Sequence, residues 1–275
     1  MTLSFIDEII SLALKEDMPA GDVTTDLIIP VGSQSQAVLT AREDGILAGL
    51  LVARRVFEMI DPGIVFEAKI EDGSNIKKND ALAVIKGATA SILKGERTAL
   101  NFLQRLSGIA TTTRAYVEAV MGTKAEIFDT RKTTPGHRIL EKYAVQLGGG
   151  RNHRLNLSDM VLIKDNHLAF VGSITEAVRR VRTRSAEGMK IEVEVSGLDG
   201  LREAIDCGAD VIMLDNMTPD SMREAVAVAD GRVILEASGN IRLDNVRQVA
   251  ETGVDRISVG ALTHSYKSLD ISLEF

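Results

Sequence analysis

A single cysteine, Cys207, stands in a chain of 275 residues. One thiol builds neither a disulfide framework nor a thiolate metal site, and a reducing compartment, the cytoplasm, is its natural setting. No stretch of ~18 apolar residues runs without a charge, and the opening MTLSFIDEII lacks a basic leader and soon turns acidic, so neither a membrane span nor an export signal is expected. Positive charge is not in excess either: Lys+Arg 32 against Asp+Glu 39 gives a formal net charge of -7, which argues against a nucleic-acid coat or a binder of anionic membranes. No strand-like run is followed by GxGxxG, the turn of a dinucleotide-binding open sheet. Three of the four histidines, His137, His153 and His167, lie close together but are badly spaced for a closed zinc site and are crowded by cations.

Those cations are the first thing present that needs a reason. FDTRKTTPGHR (128–138) and GGGRNHR (148–154) gather Arg131, Lys132, His137, Arg138, Arg151, His153 and Arg154 into one short span. Cations packed this densely repel one another unless something anionic sits among them.

Around and beyond this span, short apolar runs close on polar residues: AEIFDTR, MVLIKDN, KIEVEVS, DVIMLDN, RVILEAS and RISVGAL. The markers Glu194, Asp215, Glu236 and Ser258 follow one another at intervals of 21, 21 and 22 residues, with amphipathic segments such as LDGLREAIDCGA and TPDSMREAVAVAD between them. Near-continuous apolar strands alternating with amphipathic helices mean a parallel sheet covered by helices. Functional groups at the ends of many different strands favour a barrel over an open doubly wound sheet. Six units are clear, so the barrel is expected to be incomplete, with the terminal DISLEF either adding a strand or returning to the first half of the chain.

The first half differs in kind. After a helix, SFIDEIISLALKED, come short alternating segments, SQAVLTAREDGILAG, IVFEAKI and DALAVIKGAT, separated by turn signals. They predict a small α+β sandwich domain over residues 1–110, hammerhead-like in DGSNIKKNDALAVIKG but without a convincing hairpin-tip lysine for a carrier. The helix SILKGERTALNFLQRLSG, with Leu93, Leu100, Leu103 and Leu106 as its apolar stripe, then leads into a barrel domain over 111–275.

If TRK and IKDNH end adjacent strands, Arg131, Lys132, His153, Arg154 and Lys164 converge on the barrel mouth, with Glu194 and Asp215 entering from the next two strands. Two small-residue turns, EASGNIRLDNV and SVGALTHS, follow the last two strands, where backbone N–H groups and a following helix can hold a phosphate oxyanion. Ordinary helix capping by Ser238 and Asn240 is the competing reading of the first. Taken singly, each charged residue at a strand end is equally well read as solvated or paired; the set points to a substrate pair with many negative charges.

The long stretch DTRKTTPGHRILEKYAVQLGGGRNHRLNL followed by LIKDNH resembles the signature of the quinolinate phosphoribosyltransferases, and the likeness continues through ALKEDMPAGDVTTDLIIP, KGERTALNFLQRLSGIAT, IEVEV, IMLDN, EASGNI and SVGALTHS. His137 departs from it, standing where an apolar residue is expected. The resemblance implies an incomplete α/β barrel with an N-terminal sandwich domain. It also implies transfer of phosphoribose from phosphoribosyl pyrophosphate to the ring nitrogen of quinolinate, with loss of CO2 and pyrophosphate, in NAD biosynthesis. By the same resemblance, Arg97, Arg131, His153, Arg154 and Lys164 hold quinolinate. Lys132, Lys164, Glu194, Asp215, Ser238, Gly239, Asn240 and Gly260 hold the phosphoribosyl donor. Lys132, Lys164, Glu194 and Asp215 serve the chemistry, and Glu194 and Asp215 meet Mg2+, directly or through water. The implied working unit is a homodimer in which Arg97 completes the neighbouring site. Three alternatives remain at this point: a Schiff-base aldolase through Lys164, a paralogue encoded beside molybdate transporters, and a non-catalytic anion-binding module.

Overall fold

The computed structural model describes residues 3–186 and 188–275. The chain begins with α1 (Leu3–Asp17), α2 (Val23–Ile28), β1 (Gln34–Ala41), β2 (Gly45–Ile46), α3 (Leu50–Ile60), β3 (Val65–Ala68), β4 (Asn75–Ile76), β5 (Ala81–Ala88) and the long α4 (Thr89–Ala119). There follow β6 (Glu126–Phe128), α5 (Arg138–Leu147), β7 (Val161–Ile163), α6 (Asp165–Val171), α7 (Ile174–Arg184), β8 (Ile191–Val195), α8 (Leu198–Asp206), β9 (Val211–Asp215) and α9 (Pro219–Ala229). The chain closes with β10 (Ile234–Ser238), α10 (Val246–Ala250), β11 (Arg256–Ser258), α11 (Ala261–His264) and β12 (Ile271–Glu274).

These elements form two compact units. One comprises the chain up to Arg114 together with Thr134–Gly149 and Tyr266–Phe275; the other comprises Ala115–Thr133 and Gly150–Ser265. By contacts α5 and β12 group with the N-terminal elements, and the first change of unit falls within α4, after Arg114.

In the first unit an antiparallel sheet runs in the order β12-β1-β5-β3, so DISLEF pairs with β1 rather than extending the parallel sheet. Alternation along β1 buries Ala37, Leu39 and Ala41. The helix α3 buries Val52, Ala53, Val56 and Phe57, and Arg55 clamps Asp7 of α1 through Nε and Nη2 at 2.7 and 2.9 Å, a bidentate pair. The buried stripe of α4 is Ile92, Leu100, Leu103 and Leu106, with Leu93 half-buried beside it. Gly108 lets α4 approach the chain at Lys267: a Cβ there would lie 2.2 Å from the Lys267 carbonyl oxygen.

The second unit is a six-stranded parallel sheet, order β6-β11-β10-β9-β8-β7, made of the six apolar runs seen in the sequence. Its strands are buried on both faces, which is why they read as continuous apolar runs. Outward residues meet helices, as Val195 does under Gly200 of α8. Inward residues, Leu162, Glu194, Met213, Asp215, Glu236, Ser238 and Ser258, line a cavity. Helix starts are fixed by local chemistry: Ser173 Oγ accepts from Glu176 N, and Thr218 Oγ1 accepts from Ser221 N ahead of Pro219, each cap contributing about 1 kcal/mol.

Candidate active site

The edge strands β6 and β7 are not hydrogen-bonded neighbours, so TRK and IKDNH end opposite edges of the open sheet instead of adjacent strands. Between them runs the GGGRNHR segment. Arg151 forms a parallel bridge with Phe128: its N–H donates to Ile127 O at 2.7 Å and its carbonyl accepts from Asp129 N at 3.0 Å. The buried Asp129 carboxylate accepts from His153 N at 2.8 Å, which carries His153 and Arg154 to the carboxyl ends of the strands.

There a cavity of about 660 Å³ is lined by Arg131, Lys132, His153, Arg154, Lys164, Glu194, Asp215, Ser238, Gly239 and Asn240. Ten of the residues expected from the sequence thus meet in one place. Gly260 lies beside it as the N-cap of α11, close enough that a Cβ would stand 3.1 Å from Lys132 Cδ. Arg97 sits on α4 in the other unit and is not among the lining residues. The opening basic span therefore divides. His137 and Arg138 leave with α5, where His137 stacks on Phe102 at 5.9 Å between centroids, a packing role that accounts for a ring at this position. Arg151 turns to Glu126 at 2.9 Å, and His167 accepts from the Lys164 backbone N–H at 2.9 Å.

The polar groups are arranged by charge. Lys164 Nζ donates to Glu194 Oε2 at 2.9 Å, joining the ends of β7 and β8. Asn216 Nδ2 donates to Asp215 Oδ2 at 2.7 Å and its Oδ1 accepts from Asn240 Nδ2 at 2.9 Å, joining β9 to the turn after β10. That turn holds Gly239 and Asn240 at φ of 94° and 52° in the cavity lining. Neither Ser238 nor Asn240 caps a helix: α10 begins at Val246 with Asn245 as its N-cap. Arg154 donates through Nη1 to Met160 O at 3.1 Å, and burial, with the Arg131 charge beside it, holds its guanidinium below the ordinary range.

Of the acids beneath these groups, Glu236 stood out in the sequence only as a strand marker and Glu192 not at all. Glu192 and Glu236 are both fully buried, and His153 Nε2 stands 2.9 Å from Glu192 Oε2 and 3.5 Å from Glu236 Oε1. Burial, reinforced by the Glu192 charge, pushes the Glu236 carboxyl up to about 7. Thr130, Leu162, Met213, Asn216 and Ser258 complete the lining. The available signal was the position of Glu236, two residues before Ser238 and so on the same face of β10.

Comparison with known proteins agrees with this geometry along the whole chain. Residues 22–107 match the N-terminal domain, and residues 109–274 the C-terminal domain, of quinolinate phosphoribosyl transferase. A probable nicotinate-nucleotide pyrophosphorylase [carboxylating] of Bacillus subtilis is 45% identical over 260 residues, covering 94% of this chain and 89% of that protein. The nicotinate-nucleotide pyrophosphorylase [carboxylating] of Mycobacterium leprae is 44% identical over 270 residues, covering 95% and 94%. The crystal structure of NadC from Streptococcus pyogenes superposes with a TM-score of 0.97 at 43% identity, covering 100% of this chain and 97% of that one. With both domains matched and the strand-end cations gathered over one cavity, the chain belongs to the quinolinate phosphoribosyltransferase family.

Proposed function

We propose that this chain is a carboxylating nicotinate-nucleotide pyrophosphorylase, joining quinolinate to phosphoribosyl pyrophosphate and releasing CO2 and pyrophosphate. The observation that carries the reading is a single cavity whose lining sets Arg131, Lys132, Arg154 and Lys164 together with Glu194 and Asp215. A pyridine dicarboxylate needs cations, an electron-poor sugar carbon needs carboxylates, and both are needed in one transition state.

Arg131 and Arg154 suit the carboxylates of quinolinate, as planar donors do. The backbone turn of Ser238, Gly239 and Asn240, with Gly260, suits the 5'-phosphate. Lys132 and Lys164 suit the junction of the acid and the sugar phosphate, and Lys164 Nζ donates to Glu194 at 2.9 Å. Nitrogen attack on the sugar leaves a positively charged ring, which can accept the electron pair left when CO2 departs, so no pyridoxal group is required. His153 lines the same cavity, in keeping with a place among the groups that would hold quinolinate; its Nδ1 accepts from Arg154 N at 2.8 Å and its Nε2 stands 2.9 Å from Glu192, which orients the ring beside Arg154.

Glu194 and Asp215 are oxygen donors on neighbouring strands at the cavity rim and fit Mg2+ brought in on pyrophosphate. When bound, that ion would neutralise charge on the leaving group. The single cysteine, Cys207, is in keeping with work in the cytoplasm. The family resemblance further supports a homodimer in which Arg97 of one protomer completes the site of the other.

The test is an assay of purified protein with quinolinate, phosphoribosyl pyrophosphate and Mg2+, reading pyrophosphate and nicotinate mononucleotide, with nicotinate in place of quinolinate as the comparison. A site built for two carboxylates leaves cations unpaired when offered one, so nicotinate is expected to fall at least about 100-fold in kcat/KM. Equal turnover of the two acids would remove the dicarboxylate argument.

A further inference from the structure

The two ends of a phosphoribosyl donor need different partners, and in this chain neighbouring strands supply them. Asp215 closes β9, and the turn of Gly239 and Asn240 follows β10. The two strands stay in register to their last residues, with Ser238 beside Asp215. One further bond, from Asn216 N to Ser238 O at 2.9 Å, sets Asn216 against the turn. Asn216 is itself part of the cavity lining.

The side-chain amide of Asn216 is used at both ends. A carboxylate can only accept, so the bond to Asp215 Oδ2 at 2.7 Å fixes Nδ2 toward the acid and leaves Oδ1 for the turn. Oδ1 accepts from Asn240 Nδ2 at 2.9 Å, and the Asn240 carbonyl accepts from Asn245 Nδ2 at 3.0 Å, at the N-cap of α10. One row of hydrogen bonds thus runs from the acid of β9 to the helix after the turn. Gly239 is fitted to the same amide: its Cβ would lie 2.3 Å from Asn216 Oδ1 and 2.5 Å from Cγ, so a side chain there would displace it. Asn216 has φ of 53°, in the left-handed region, which asparagine enters more readily than most residues and glycine more readily still. A position that needed this backbone alone would be served by glycine. What asparagine adds is the link.

We infer that Asn216 is a positioning residue for the phosphoribosyl donor, holding the Asp215 carboxylate and the turn of Gly239 and Asn240 in one register so that the ribose and the 5'-phosphate of one molecule are met together. A ribose ring fixes the spacing of the groups it carries, and a site whose own spacing is fixed beforehand spends less of its binding energy on ordering. Asn216 acts through Asp215 and Asn240, each of which it bonds directly. The row contains neither Arg131 nor Arg154, the cations suited to quinolinate, so its loss falls on the donor and spares the acid.

This inference rests on the proposed reaction, and the experiment separates the two. Wild type is assayed first with quinolinate, phosphoribosyl pyrophosphate and Mg2+; a protein that releases no pyrophosphate overturns the proposed reaction, and this inference with it. Given an active wild type, Asn216→Gly removes the link and keeps the backbone. It is expected to raise KM for phosphoribosyl pyrophosphate, and the donor's Kd by calorimetry, at least about tenfold, the scale of a lost hydrogen bond to a charged group. Quinolinate Kd is expected to stay within about threefold and the melting temperature within a few degrees. A glycine variant with wild-type donor affinity shows that the position supplies backbone shape alone, and overturns the inference. So does an equal fall in affinity for donor and acid, the mark of a general loosening. Asn240→Gly cuts the same row one bond further on, so the double variant is expected to lose clearly less than the product of the two single losses; losses that multiply overturn the coupling. If Asn216→Gly does not fold, Asn216→Asp decides. It keeps the size but sets acceptor against acceptor at Asp215, so the same rise in donor KM is expected, and an unchanged one overturns the inference.

Discussion

Glu236 is held in a state that water would not give it, and holding it there affects stability. Its carboxyl is raised from 4.5 to about 7, burial being the larger cause and the neighbouring Glu192 the next. A group whose folded value lies above its unfolded one contributes stability that is complete below the unfolded value and lost as pH rises through the folded value. For this residue the loss sets in as pH rises above about 4.5 and is complete above about 7. Glu236→Gln, which keeps the shape and cannot ionise, is therefore expected to melt near wild type at pH 5 and a few degrees above it at pH 8, by calorimetry. A wild type that gains on the variant as pH rises would contradict the buried-proton account. The same residue marks the limit of sequence reading. Strand β10 was legible as a strand, and Glu236 shares a face with Ser238, but buried on both faces the strand carries no polar-apolar alternation to mark that face as the one toward the cavity.

Among the elements, all six parallel strands were legible because each is a short apolar run closing on a polar residue, and the cations and acids at their ends were legible for the same reason. Several helices were not, α3 and α5 among them. The helix α3 lies in a stretch whose neighbours alternate like strands, and α5 is embedded in the basic span, where charge hides its buried face of Leu140, Ala144 and Val145. The placing of His153 and Arg154 was also not legible, since it depends on Arg151 bridging to Phe128 and on the buried Asp129 accepting from His153 N. The turn after β10 gives the element-scale prediction. Gly239 has φ of 94°, and a Cβ there would lie 2.3 Å from Asn216 Oδ1, the atom that accepts from Asn240. Gly239→Ala is expected to raise KM for phosphoribosyl pyrophosphate at least about tenfold while quinolinate affinity changes little, because the strain falls on the phosphate turn. Gly197→Ala, with no atom within 4 Å of its Cβ and an extended φ of -172°, is the matched control and is expected to leave both nearly unchanged. Equal effects of the two changes on the donor's KM would count against the turn as the phosphate site.

For the molecule as a whole, the proposed homodimer predicts that Arg97 of one protomer serves the cavity of the other. Arg97 lies on α4 in one compact unit, while Lys164 lies in the other. Suppose Arg97→Ala and Lys164→Ala are each inactive, and the two are unfolded and refolded together. If Arg97 crosses a two-fold axis, a mixed dimer contains one site with both residues intact, and random pairing restores roughly a quarter of wild-type activity. Silence from a mixture shown to contain mixed dimers would assign Arg97 to its own chain. The division into units also bears on how the protein is made. Arg42 Nε donates to Ser272 Oγ across 230 positions, and β12 completes the sheet that β1 begins. During synthesis β1 emerges early and waits with one edge unpaired until residues 271–274 leave the ribosome, long after the parallel strands have been made. Translation arrested before that point leaves β1 open to strand pairing with other nascent chains, so the interval before the final strand is when this protein has most need of a chaperone.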